Sequence, residues 1–127
     1  MAKITDKIKT FEDACKVLGI NSEDFKITYP DNVSHHAKAF VAHMKLVIIA
    51  EALNEGWKPN WNDWDEWKYY PWFRMGSPSG GGFSYHDCVY DCTSSHVGSR
   101  LCFKSRELAK YAGNQFEGLY KEYFVLE

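Results

Sequence analysis

The first hydrophobic pattern along the chain is a short helical face, on which Phe11, Ala14, Cys15 and Leu18 recur. Thr10 stands at the N-cap position with Asp13 three residues on, an Asp variant of the capping box, and Gly19 supplies a stop. A helix of about two to three turns is predicted there. Residues Asn21 to Asn32 form a connector, with turn chemistry at Pro30, Asp31 and Asn32. From Ser34 to Asn54 the chain lacks Pro and Gly, and Val33, Ala37, Phe40, Val41, Met44, Val47, Ile48 and Ala52 track a helical stripe. Gly56 ends this second helix, whose roughly five turns would span ~30 Å.

The pattern then changes. Asn60 is placed to cap a short helical turn, with Asp63, Asp65 and Glu66 near its positive dipole end and Trp61 and Trp64 on one face. Lys68 to Met75 alternate as a strand, and Pro71 puts that strand at an edge or a bulge. Tyr69, Pro71 and Phe73 would point one way, and Tyr70, Trp72 and Arg74 the other. Gly76 to Gly82 predicts a flexible hairpin loop, Phe83 to Thr93 a second strand, and Ser99 to Phe103 a shorter third strand. Ser105 caps a C-terminal helix running to about Phe124, with a stripe of Leu108, Ala112, Gln115 or Phe116, Leu119, Tyr120 and Tyr123. Clustered strands with short connections favour antiparallel pairing. The expected fold is therefore α+β: a three-stranded antiparallel sheet packed against two long helices and one or two short ones, in a single domain of residues 1–127.

Composition adds three constraints. A chain of 127 residues can bury roughly two-thirds of its unfolded surface, so it needs no disulfide or metal staple. The aromatic share of 17% means either a dense core or a sticky surface. A net charge of −2 and a pI near 6.2 give no global steering toward nucleic acid or an anionic membrane. No apolar run follows Lys3 and Lys7, so a secretory leader is not expected. Lys38, His43, Lys45 and Glu51 interrupt the most apolar stretch and argue against a membrane span. Cys15, Cys88, Cys92 and Cys102 read as reduced thiols in a reducing compartment.

Candidate chemistry is sparse. His86, Cys88, Cys92 and His96 are four possible zinc ligands. In a straight strand, however, Cys88 and Cys92 would lie ~13 Å apart, too far for one metal ion or a disulfide. Buried or half-buried thiols are the plainer reading, and neither a metal nor a cofactor is expected. The Gly76 to Gly82 loop lacks the Lys-Ser/Thr ending of a phosphate loop and opens no helix. No recognisable catalytic set appears, so the chain reads as a non-enzyme. The strongest feature is the aromatic belt of Trp57, Trp61, Trp64, Trp67, Tyr69, Tyr70, Trp72 and Phe73. It is either core packing or a surface for a partner, because Trp and Tyr dominate interaction hot spots and also stack bases. Lys58, Lys68 and Arg74 are offset there by acids, and Arg100, Lys104, Arg106 and Lys110 form the one local basic run.

The runs Lys68-Tyr69-Tyr70-Pro71-Trp72-Phe73 and Val97 to Gly113, with Gln115 and Phe116, resemble those of small proteins encoded by phages and prophages of Bacteroides-type gut bacteria. That group carries no established activity or catalytic residue. The resemblance implies a phage-derived protein acting in a bacterial host cytoplasm, or assembled into a virion. The combined expectation is a non-enzymatic accessory protein that engages a protein partner through Trp61, Trp64, Trp67, Tyr70, Trp72 and Arg74. Two alternatives stand beside it. One is a nucleic-acid-associated protein adding Arg100, Lys104 and Arg106 to aromatic stacking. The other is a small zinc or thiol enzyme built on His86, Cys88, Cys92 and His96.

Overall fold

A computed structural model describes residues 3–26, 28–76 and 82–126. The tip of the predicted Gly-rich loop, residues 77–81, lies outside the described residues.

Helix α1 (Ile4–Lys7) is a single turn, capped where Asp6 Oδ2 accepts from Lys3 N at 3.0 Å. Helix α2 (Phe11–Leu18) starts with the reciprocal bonds expected of its sequence. Thr10 Oγ1 accepts from Asp13 N at 3.1 Å, and Asp13 Oδ2 accepts from Thr10 N at 3.2 Å. Gly19 ends it at φ 72°, a left-handed conformation that glycine enters without penalty. Short 3-10 turns at Ser22–Phe25 and Asp31–Val33 lead into helix α3 (Ser34–Leu53).

Helix α3 is the central element, and it lies between α2 and α5 (Glu117–Phe124). Its buried line is Ala42, Leu46, Ile49 and Leu53, joined by Ile48, Ala50 and Ala52. The predicted stripe meets the core only toward its C-terminal end: Ile48 and Ala52 are buried and Met44 and Val47 pack beside them, while Val33 and Phe40 are exposed. The C-terminal half of α3 is apolar apart from Lys45 and Glu51 and is covered by α2 and α5, so periodicity alone cannot select the buried phase. No helix among the described residues is long and apolar enough to cross a membrane.

Strand β1 (Lys68–Arg74) pairs antiparallel with β2 (Ser84–Asp91). A bulge between Trp72 and Phe73 leaves His86 as the extra residue. The freed Tyr85 N–H is taken by Glu117 Oε2 at 3.0 Å. One face of the hairpin, including Pro71 and Phe73, packs on α4 (Arg106–Gln115) and α5. Gly113 makes that contact possible: a Cβ there would sit 2.8 Å from Pro71 Cβ and 2.8 Å from Tyr85 Cε1.

The expected three-stranded sheet is not formed; among the described residues the sheet has two antiparallel strands. The Ser99–Phe103 segment meets β1 only at Phe103, which exchanges bonds with Tyr69 at 3.0 and 2.7 Å. Successive strand residues aim their N–H groups at opposite edges, so the next donor on that edge of β1 belongs to residue 71. Residue 71 is proline and has none. In the other direction the chain turns into the N-cap of α4, where Ser105 Oγ accepts from Leu108 N at 3.2 Å. Asn54 holds the other edge of this segment. Its Nδ2 donates to Cys102 O at 2.9 Å and its Oδ1 accepts from Lys104 N at 3.1 Å. The expected pair of long helices is corrected too. The C-terminal helix divides at Phe116, whose φ of −112° and ψ of 27° leave the helical region. Phe116 is itself buried, Gln115 Nε2 donates to Lys9 O, and Glu117 holds β2, so the residues at the break serve three different partners.

Two glycines give a paired test of this packing. Gly113→Ala forces Pro71 and Tyr85 apart and is expected to cost about 1–3 kcal/mol in urea denaturation. Gly118→Ala, in helix α5 with open space around it, is expected to stabilise by about 0.5–1 kcal/mol.

Candidate interaction surface

The tryptophan segment, residues 57–67, contains no regular helix or strand and contributes no buried residue to the core. Its shape comes from polar turns. Trp57 N donates to Asn54 O at 3.0 Å, just beyond the positive-φ pair Glu55 and Gly56 that ends α3. Asn60 Oδ1 accepts from Asn62 N at 3.0 Å and Asp63 Oδ1 from Asp65 N at 2.9 Å, two side-chain-capped turns. These take the place of the predicted helical turn. They also turn the carbonyls of Asn60, Asp63 and Glu66 inward.

Those carbonyls meet Lys68, whose side chain is 0% exposed. Its Nζ donates to Asn60 O at 2.6 Å, Glu66 O at 2.8 Å, Cys92 O at 2.6 Å and Asp63 O at 3.2 Å. Glu66 Oε1 lies 3.4 Å away, and also accepts from Asn60 N at 2.6 Å. The Trp61 ring centroid is 5.2 Å from the same ammonium, and the indole N–H donates to Ser99 Oγ at 2.6 Å.

Above this interior the aromatic belt divides. Trp64, Trp67 and Trp72 are 74%, 45% and 49% exposed, whereas Trp61 is half-buried and Tyr70 buried. Trp67 meets Tyr90 edge-on at 4.5 Å, Tyr90 reaches Tyr69 at 6.3 Å, and the Arg106 guanidinium lies 5.6 Å over the Tyr69 ring. Trp72 shares the opposite face of the hairpin with Lys68 and Tyr70, and that face is covered only at its Lys68 end. Tyr90, half exposed on β2 opposite Tyr69, lies beside Trp67 on the Pro71 face of the hairpin and away from Trp72, although it lies outside the belt in sequence.

The basic candidates are largely engaged. Arg74 Nε donates to His86 Nδ1 at 3.2 Å, Lys104 Nζ lies 3.5 Å from Glu55 Oε1, and Arg106 Nη1 donates to Cys88 Sγ at 3.1 Å. Arg100 is exposed in the turn before Leu101. Among the described residues no three His, Cys, Asp or Glu side chains converge on a common point that could hold a metal ion. Of the four predicted ligands, His86 accepts from Arg74 and Cys88 from Arg106, while His96 is exposed and Cys92 half-buried.

Burial governs the titratable groups beneath the surface. It pushes the Cys102 thiol up to about 11, against the pull of the Lys68 charge. Burial also raises Cys88, against the Arg106 guanidinium, and Cys15. The Tyr70 phenol is pushed up to about 12, first by burial and then by the Asp91 carboxylate. Asp91 Oδ2 is itself buried without a hydrogen-bond partner.

Two outcomes follow from these environments. In the folded protein a disulfide reagent near neutral pH should modify Cys92 quickly, with Cys15, Cys88 and Cys102 reacting only at the rate of unfolding. Mass mapping of the labelled thiols checks this. Stability should also fall as the solution becomes alkaline. The unfolded thiol and phenol ionise near 9.0 and 10.0, while folded Cys102 and Tyr70 hold their protons to about 11 and about 12. Their protonated forms therefore support the fold below pH 9, and that support is lost between about pH 9 and 12. Urea midpoints across this range measure the loss, and Cys102→Ala should remove its lower part.

Comparison with known proteins finds no matching family model, no matching curated protein and no matching solved structure.

Proposed function

We propose that the chain is a non-enzymatic binding protein whose partner is another protein, engaged by Trp64 and Trp67 with Tyr90 on one face of the hairpin and by Trp72 on the other. The observation that carries this reading is the exposure of three of the five tryptophans, by 45–74%, with Trp64 and Trp67 on a segment fastened from beneath and Trp72 on β1 beside it. Exposed indoles are rare where they serve no contact, and an ordered aromatic anchor loses little entropy on binding. Asp63, Asp65 and Glu66 border the surface, and Lys104 and Arg106 already have partners. That charge pattern suits a protein surface better than a phosphodiester chain, which needs a positive track. A thiol enzyme is disfavoured because burial holds Cys15, Cys88 and Cys102 protonated. The resemblance of the Lys68–Phe73 and Val97–Gly113 runs supplies the proposed setting, a bacterial host cell or an assembling virion.

A photo-crosslinking amino acid placed at Trp67 or Trp72 in bacterial cells tests the reading. Discrete protein adducts are expected from both positions, weakened by Trp64→Ala and absent when the crosslinker replaces exposed Glu12 on α2. Adducts equally strong from Glu12, or none from either tryptophan, would overturn it. Salt-sensitive quenching of the tryptophans by single-stranded DNA would favour the nucleic-acid alternative instead.

A further inference from the structure

Lys68 is the one buried charged side chain among the described residues, and the segment it touches is the one the core does not hold. Residues 57–67 bury no side chain in the core, and the backbone bonds of their own that close them are Trp57 N to Asn54 O and Asp63 N to Asn60 O. What fills the interior of the segment is an ammonium ion. Its oxygens come from two parts of the chain, Asn60, Asp63 and Glu66 in the segment and Cys92 beyond β2. Three of the four contacts are 2.6–2.8 Å, the range of charge-assisted N–H···O bonds. An ammonium carries three protons, so all are used, and the Glu66 carboxylate and the Trp61 π-face complete the shell. Neutral side chains could fill the volume but could not satisfy four inward carbonyls.

We propose that Lys68 is the positioning residue of the tryptophan surface, and that the oxygen cage around it is a receptor for a primary ammonium group. The charge orders residues 57–67 as a unit separable from the helical core. The cage accepts a free alkylammonium when the lysine side chain is cut back. Propylammonium is the matching probe, because Lys68→Ala removes three methylenes and the ammonium while keeping Cβ. The positioning role, unlike the cage itself, rests on the tryptophan surface being the binding surface proposed above.

Hydrogen exchange on Lys68→Met and Lys68→Ala tests the cage. Amides of residues 60–66 should exchange about 10- to 100-fold faster than in the parent, with α3 and α4 amides unchanged. Propylammonium should restore protection in Lys68→Ala, saturably, and tetramethylammonium at equal ionic strength should not, because it has no N–H donor. Unchanged loop exchange in Lys68→Met would overturn the role of the charge. Should either variant fail to fold, propylammonium must recover the folded circular dichroism of Lys68→Ala, and failure to do so would overturn the receptor. Crosslinking from Trp67 in Lys68→Met should fall at least about 10-fold; undiminished crosslinking would overturn the positioning role. An absence of adducts from the parent protein would reject the binding surface alone, since exchange and rescue still decide the cage.

Discussion

An ammonium ion closed off from water must find oxygen on every side, and in this protein that requirement gathers the irregular half of the chain. Lys68 sits at the start of β1, beside the turn that leaves α3 and opposite the end of β2. Its four carbonyl partners therefore tie the tryptophan segment to the hairpin and to the chain that follows β2. The desolvation of a lysine is costly, and the bonds must offset it before they contribute anything net. What they supply is definition: with the ammonium in place, the segment has one arrangement in which its inward carbonyls are satisfied.

The same economy of polar ties runs through the rest of the fold. A two-stranded sheet is marginal by itself, and here side chains complete it. Asn54 holds the Phe103 segment from the edge away from β1, and Glu117 takes the N–H released by the bulge. Cys88 N–H, on the outer edge of β2, is taken by Asp87 Oδ1 at 2.8 Å, which blunts that edge against pairing with another chain. Tyr111 and Gln115 on α4 hold the carbonyls of Ile8 and Lys9, joining the link between α1 and α2 to α4. The hydrophobic cluster of Leu46, Ile49, Leu53, Phe73, Phe103 and Tyr120 supplies the bulk of the stability, and these bonds set where the loops lie.

The features legible in the sequence are those made by residues three or four apart. The Thr10–Asp13 box, the Gly19 stop, the bounds of α3, the Ser105 cap and the two faces of β1 all belong to this class. The features that were not legible depend on distant partners. Asn54 acts on Cys102 across 48 residues, so Ser99–Phe103 read as a strand although its ladder stops at Pro71. The break at Phe116 answers to Lys9 and Tyr85, neither of which is near it in sequence. Within the site, alternation assigned Tyr70 and Trp72 to one face but could not show that only half of that face is covered. In the sequence Lys68 is one of three basic residues offset by nearby acids; the Asx-type turns at Asn60 and Asp63 are the only local sign that carbonyls gather beside it.

The central claim is that a buried ammonium, bonded to backbone oxygens, holds the tryptophan segment in place. Nuclear magnetic resonance of protein carrying labelled lysine side chains and carbonyl carbons tests it most directly. A Lys68 ammonium resonance protected from water exchange is expected, with through-bond couplings to the carbonyl carbons of Asn60, Glu66 and Cys92. A Lys68 ammonium that exchanges as fast as the surface lysines and shows none of these couplings would contradict it.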